Sequence, residues 1–260
     1  MSLGADTAVT PTEDGRFTGE IQPGWDIVGN ANGGYLLAIA ARAASAAADG
    51  REPASVTAHY LAPGKPGPVS IVTELQKQGR RFSTVRATMS DADRPLVALL
   101  GSFRDTSIEM DSVERVEAVR PEMPPPDECV PVEPTETFPP PFMGKVELRL
   151  HPEDATNSAG VPRFRGWFRL RDDEVIDSFG LLVAVDSFPP TIFNAQLPVA
   201  WTPTIELTAH VRGTPEPGWL RCQFTTRFIS GGYLEEDGEV WDGSGRLVAQ
   251  SRQLALLPNT

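Results

Sequence analysis

One carboxylate stands out for its setting. Asp186 follows Leu181, Leu182, Val183, Ala184 and Val185, and a carboxylate in apolar surroundings costs free energy unless it is hydrogen-bonded. Such a setting raises its pKa toward the range of a general base. The alternative is that Asp186 faces solvent or caps the turn before Pro189 and Pro190. No other residue announces its chemistry as clearly. There is no G-x-S-x-G nucleophile elbow, no G-x-x-x-x-G-K-[ST] phosphate loop, no strand-linked G-x-G-x-x-G and no H-E-x-x-H, which removes the commonest hydrolase, nucleotide and zinc signatures. His59, His151 and His210 are too few and too scattered to suggest a metal cluster. Cys129 and Cys222 offer neither a disulfide framework nor a CxxC pair.

The elements that must carry Asp186 follow from an internal repeat. At an ungapped offset of 151 residues, Thr57-Ala58-His59 returns as Thr208-Ala209-His210 and Pro66-Gly67 as Pro217-Gly218. In the same register Asp91 returns as Asp242, and Leu96-Val97-Ala98 as Leu247-Val248-Ala249. A period far beyond that of solenoids predicts a tandem duplication of a small domain. Each copy reads as a helix followed by strands. The Ala-rich stretch from Gly33 to the stop at Asp49-Gly50 is apolar nearly all round and must be buried on most faces. Alternation over residues 69–75 and 83–89 predicts half-buried antiparallel strands, with a turn at residues 91–95.

In the second copy the segment from Gly180 to Asp186 is expected to open a helix. Leu220, Cys222, Phe224, Thr226 and Phe228 line one face of a strand, so Cys222 is expected to be a buried thiol. Arg221, Gln223, Thr225 and Arg227 line the other face. The Asp242-Gly243-Ser244-Gly245 turn leads into a last strand over residues 246–256, matching 95–105. His59 and His210 occupy equivalent strand positions and read as structural residues, a catalytic pair being the alternative. Nine prolines within residues 121–141 predict an extended surface connector. The expected organisation is a loose polar tail (1–14), a first domain (15–107), a Pro-rich linker (108–145) and a second domain (146–260).

Composition narrows the partners. With 40% hydrophobic and 22% charged residues the chain is globular in type. A formal charge of -12 repels a phosphate backbone and argues against nucleic acid. The longest apolar run, residues 35–41, falls well short of the about 20 residues a membrane span needs. The first residues lack a basic start and an apolar stretch, so a cytoplasmic protein is expected.

Five segments carry a family resemblance. They are Asn32-Gly33-Gly34-Tyr35 through the Ala-rich helix to Ala58-His59-Tyr60-Leu61-Ala62-Pro63-Gly64, then residues 79–86, and in the second half Asp186, Thr204-Ile205-Glu206 and residues 247–253. Over nearly the whole chain except the tail and linker, the sequence resembles the thioesterase II (TesB-like) family of acyl-CoA thioesterases. The resemblance implies an α+β double hotdog, two helices each wrapped by an antiparallel sheet. It implies hydrolysis of an acyl-CoA thioester by an activated water, with no metal or cofactor and acyl-CoA as the small-molecule substrate. The family's catalytic aspartate, threonine and glutamine fall on Asp186, Thr204 and Gln253, with Thr202, Gln250 and Arg252 as near alternatives. Gly33 and Gly34, with Tyr35 beside them, are expected at the substrate, their backbone N–H groups serving its carbonyl. Arg80 and Arg81, and Lys65, are expected toward the coenzyme phosphates. Thr57 stands where the family often has a histidine. The family context also implies a homodimer in lipid metabolism. A non-catalytic hotdog that binds acyl-CoA or a similar ligand is the alternative, and a hotdog hydratase is disfavoured because no histidine follows Asp186 before His210.

Overall fold

The structure, a computed structural model, describes residues 2–110, 113, 115–133, 141–156, 160–197 and 199–257. It opens with one helical turn, α1 (Leu3–Asp6), capped by the Ser2 hydroxyl, and a hairpin of β1 (Val9–Glu13) and β2 (Arg16–Ile21). A ribbon of β3 (Asp26–Ile27) and β4 (Asn30–Ala31) leads into the long helix α2 (Gly33–Ala47). Strands β5 (Glu52–Tyr60), β6 (Gly67–Gln78), β7 (Phe82–Asp91) and β8 (Arg94–Arg104) complete the first half. After the two-residue β9 (Val130–Pro131) come β10 (Val146–Leu150), the single turn α3 (Pro152–Ala155), β11 (Arg163–Leu170) and the short helix α4 (Ser178–Ala184). Strands β12 (Thr204–Val211), β13 (Leu220–Thr225), β14 (Ile229–Ser230), β15 (Tyr233–Trp241) and β16 (Leu247–Leu256) close the chain.

Helix α2 is the centre of the first half. Asn32 caps it by accepting the Tyr35 N–H at 2.9 Å, and it ends where Asp49 (φ 58°) and Gly50 (φ 76°) turn left-handed. Leu37, Ile39 and Ala41 are wholly inaccessible, as an all-round apolar helix requires. The strands alternate as their sequences predict: Val69 and Ile71 face α2 while Ser70 and Val72 face outward. Cys222 is inaccessible on the inner face of β13, and burial pushes its thiol pKa up. Asp242 makes the expected turn, accepting from the backbone of Ser244 and Arg246.

All pairing is antiparallel, in the order β1-β2-β6-β7-β8-β5-β12-β16-β15-β13-β11-β10-β9, with β14 on β15. The two halves meet at β5 and β12, which makes the sequence repeat a pseudo-twofold. Thr57 lies directly opposite its repeat partner Thr208, and their hydroxyls are 2.8 Å apart. His59 faces Glu206 and His210 faces Ser55 in the ladder, and both imidazoles are on the exposed side. Helix α4 of the second half packs against α2.

Three expectations need correction. The tail is not loose: Leu3, Asp6 and Thr7 are buried, and Asp6 accepts from the Trp25 indole at 2.8 Å and from Lys145 at 2.6 Å. The Pro-rich linker is not simply a surface connector, although residues 134–140 lie outside those described. Its residues 130–131 add an edge strand to β10, and Phe142 and Met143 are core residues, with Phe142 set edge-on against Trp25. The second helix is also shorter than its counterpart. It starts at Ser178, capped by Asp177, and ends at Ala184, so Asp186 lies just beyond it instead of inside it. Pro189 and Pro190 forbid continuation. Among the described residues no helix is long and apolar enough to cross a membrane.

Candidate active site

Asp186 is delivered by the end of α4 to the start of α2. Its N–H donates to Val183 O at 3.1 Å, and α4 lies so close to α2 that a Cβ on Gly34 would sit 2.5 Å from Leu182 O. Glycine at 34 is therefore required for the approach. The contact gives Asp186 its partners: Gly34 N–H donates to Oδ2 at 2.7 Å, and Asn32 Nδ2 donates to Oδ2 at 3.1 Å and to the Asp186 carbonyl at 2.8 Å. The positive end of the α2 dipole adds to them. Burial nevertheless dominates and pushes the Asp186 pKa up to about 6, against the pull of the Gly34, Asn32 and Gly33 donors. The residue keeps some accessible surface, and no hydrogen bond among the described residues falls on Oδ1.

Gly33 brings a second group to this carboxylate. A Cβ there would meet Asp186 Oδ2 at 2.9 Å on one side and Tyr60 Oη at 3.1 Å on the other. Tyr60 ends β5, and its hydroxyl is buried with no hydrogen-bond partner among the described residues. Burial, then the charges of Asp186 and Glu206, hold its pKa well above the ordinary tyrosine value. It is therefore a neutral O–H donor left unused by the protein, which is costly unless something binds to it.

The other side of the site is a hydrogen-bonded row across β12, β16 and β15. The Thr204 hydroxyl donates to Gln253 Oε1 at 3.1 Å, and Gln253 Nε2 donates to Glu236 Oε1 at 2.9 Å. Glu236 Oε2 accepts the Thr191 N–H at 2.8 Å. Burial, and further the charge of Asp186, push the Glu236 pKa up to about 7. That electrostatic coupling links the row to Asp186.

The remaining expected residues separate. Thr202 turns to Ala200 O, Gln250 accepts from Arg212, and Arg252 pairs with Asp237 on the outer face, so none of them joins the row. Tyr35 does not meet substrate. It is wholly inaccessible, stacked on Trp25 at 4.7 Å, with its hydroxyl donating to Asp6 O at 2.7 Å. The Gly34 N–H is taken by Asp186 and is not free for a substrate carbonyl. Arg80 and Arg81 sit at the exposed β6–β7 hairpin, whose Gly79 and Arg80 carbonyls accept from Arg51 just past the far end of α2. One helix length, about 20 Å, thus separates them from Asp186 within the chain. Lys65 is bound to Gly29 O and Asn30. His151, Glu153 and Asp154 come together, but Arg163 and Arg165 neutralise the carboxylates.

Sequence reasoning assigned no role to Asn32, Tyr60 or Glu236. Asn32 and Tyr60 lay inside the recognised motif stretches. Glu236 was hidden in the acidic run Glu235-Glu236-Asp237, where only the alternation Leu234, Glu236, Gly238, Val240 marks it as inward.

A helix wrapped by an antiparallel sheet, built twice and joined through the central strands, is the double hotdog architecture. A crystal structure of a hot dog fold protein of unknown function from Alicyclobacillus acidocaldarius superposes with a TM-score of 0.86 over 99% of this chain and 98% of that one, at 22% identity. A proposed thioesterase II of Thermobifida fusca gives a TM-score of 0.88 at 30% identity, covering 99% of this chain and 97% of that one. An uncharacterized protein of Mycobacterium tuberculosis H37Rv is 31% identical over 93% of this chain and 91% of its own. Residues 21–104 match the acyl-CoA thioesterase N-terminal domain and residues 126–257 the acyl-CoA thioesterase C-terminal domain. The chain belongs to this acyl-CoA thioesterase family, of the thioesterase II type.

Proposed function

We propose that the protein hydrolyses an acyl-CoA thioester with a water activated by Asp186. The observation that carries this reading is a carboxylate of raised pKa, anchored through Oδ2 at the start of α2, with no hydrogen bond to Oδ1 among the described residues. Oδ1 takes a proton from the water as its oxygen adds to the thioester carbon. Thr204 and Gln253 orient that water, and Tyr60 Oη donates to the carbonyl oxygen as it gains charge. Collapse of the tetrahedral adduct breaks the C–S bond. The proton on Asp186 passes to the departing thiolate, and the products are the acid and free coenzyme. The cycle as written uses no cofactor. We read the setting as cytoplasmic lipid metabolism and the assembly as a homodimer.

The test is thiol release from short, medium, long and aromatic acyl-CoAs, comparing the native protein with Asp186→Asn. Turnover of at least one thioester, lowered by about 100-fold or more in the variant, supports the reading. Binding of acyl-CoA without thiol release by the native protein replaces it with that of a ligand-binding hotdog.

A further inference from the structure

Glu236 is a buried acid that the steps above do not use. Apart from Asp186, the other buried acids among the described residues meet a cation: Asp6 meets Lys145, Asp154 meets Arg163 and Arg165, and Asp242 meets Arg246. Among the described residues no ion pair involves Glu236. Among the described residues its side chain is held only by polar partners: Thr191, through its N–H on Oε2 and through its hydroxyl, and Gln253 Nε2 on Oε1.

These partners are not equivalent. A backbone N–H can only donate, so Oε2 must remain an acceptor in every state of the acid. The Gln253 amide can turn over and present either end. While Glu236 is ionised it accepts at both oxygens, which forces the Gln253 NH2 toward it and the Gln253 oxygen toward Thr204. The Thr204 proton is then committed to Gln253, and its lone pairs are what it offers the water. When Glu236 is protonated the proton is best placed on Oε1, because that leaves Oε2 as the carbonyl oxygen, the better acceptor for the Thr191 N–H. Gln253 then has to turn its oxygen to Glu236 and its NH2 to Thr204, and the Thr204 proton is released toward the site.

We propose that Glu236 is a positioning residue that fixes the Gln253 amide and thereby decides whether Thr204 offers a lone pair or a proton to the water beside Asp186. The ionised state suits hydrolysis. Asp186 and Thr204 then hold the two protons of the water, and its lone pair is left to attack. The groups facing Glu236 are Thr191 with the Thr226 hydroxyl behind it, Gln253 from β16, and the charge of Asp186, which raises its pKa further. Its strand neighbours Glu235 and Asp237 engage Arg227 and Arg252 elsewhere. With a pKa of about 7 the switch works near neutral pH.

The catalytic consequence rests on the thioesterase reading, but the amide switch does not, so the test reads each separately. The first readout is the side-chain amide resonance of Gln253 in glutamine-15N-labelled protein, assigned by Gln253→Met. It is followed from pH 5 to 9 in Asp186→Asn, which removes the titration of the neighbouring acid. A one-proton shift at a pH lower than in the native protein, because the charge of Asp186 no longer raises the Glu236 pKa, is expected, and it should disappear when Glu236→Gln is added. No titration, or one that survives Glu236→Gln, overturns the proposal, and the absence of titration decides it even if that variant does not fold. The second readout is kcat against pH. The native acid limb should approach a slope of two, while Glu236→Gln should lose about 10–100-fold at pH 8 and leave a slope of one. The double variant Glu236→Gln, Gln253→Glu restores an acceptor toward Thr204 and should recover at least about fivefold over Glu236→Gln alone. A slope of one in the native enzyme, or a Glu236→Gln rate within about twofold of native, overturns the catalytic consequence. If the resonance behaves as stated but the native protein releases no thiol, the thioesterase reading fails while the switch stands.

Discussion

Asp186→Asn should make the protein more stable as it lowers activity, because the carboxylate is held ionised at a cost. Its pKa is raised from 3.8 to about 6, and a shift of about two units corresponds to about 3 kcal/mol. Some exposure lowers the usable figure to about 1–3 kcal/mol. The raised pKa sets the sign. The native state binds the proton more tightly than the unfolded chain, so full stability holds below pH 4 and is lost as pH rises through about 6. The asparagine oxygen can take the place of Oδ2 and keep the Gly34 and Asn32 donors, while the amide nitrogen takes the place of Oδ1. At pH 8 the variant should therefore unfold about 2–12 °C higher than the native protein, at roughly 2–4 °C per kcal/mol. Near pH 4 the difference should shrink below about 1 kcal/mol. Urea unfolding at the two pH values measures this directly. A variant less stable than native at pH 8, or a gap that does not depend on pH, refutes the argument that burial raises this carboxylate.

Tyr60→Phe removes an unpartnered buried hydroxyl, so thermal unfolding should be unchanged or slightly raised, whereas kcat should fall by about 100-fold. A kcat within twofold of native rejects Tyr60 as the donor to the carbonyl. Gly34→Ala drives a methyl into Leu182 O and should cost about 2–3 kcal/mol. Gly213→Ala, where a Cβ meets nothing within 4 Å, should be near neutral in the same unfolding assay. Cys129 and Cys222 are both buried, so a thiol reagent should label neither quickly in the native protein and both after unfolding.

The duplication was legible because its register survives in the fold: the offset that aligns Thr57 with Thr208 also places them face to face at the join. Alternation gave the long strands, and an Ala-rich apolar run gave α2. Asp186 was legible as a charge among apolar residues, although the helix stops before reaching it. Long-range contacts were not legible. Nothing local in residues 1–14 says that Asp6 will hold the Trp25 indole and Lys145, and proline content said nothing about Phe142 entering the core. Tyr35 looked like a site residue because it follows the two glycines, but three residues past the cap the helix has already turned its ring away toward Trp25. The role of Gly34 was read as donation to a substrate and is instead close helix packing that supplies Asp186 with its hydrogen bond.

The central claim is that water bound by Asp186 attacks the thioester directly. A single turnover with enzyme in excess over an acyl-CoA that it cleaves, run in 18O-labelled water, tests this most directly. The account predicts one labelled oxygen in every molecule of acid from the first turnover, and a rate about 100-fold or more lower in Asp186→Asn. Unlabelled acid from that first turnover means that an enzyme oxygen attacked, and contradicts it.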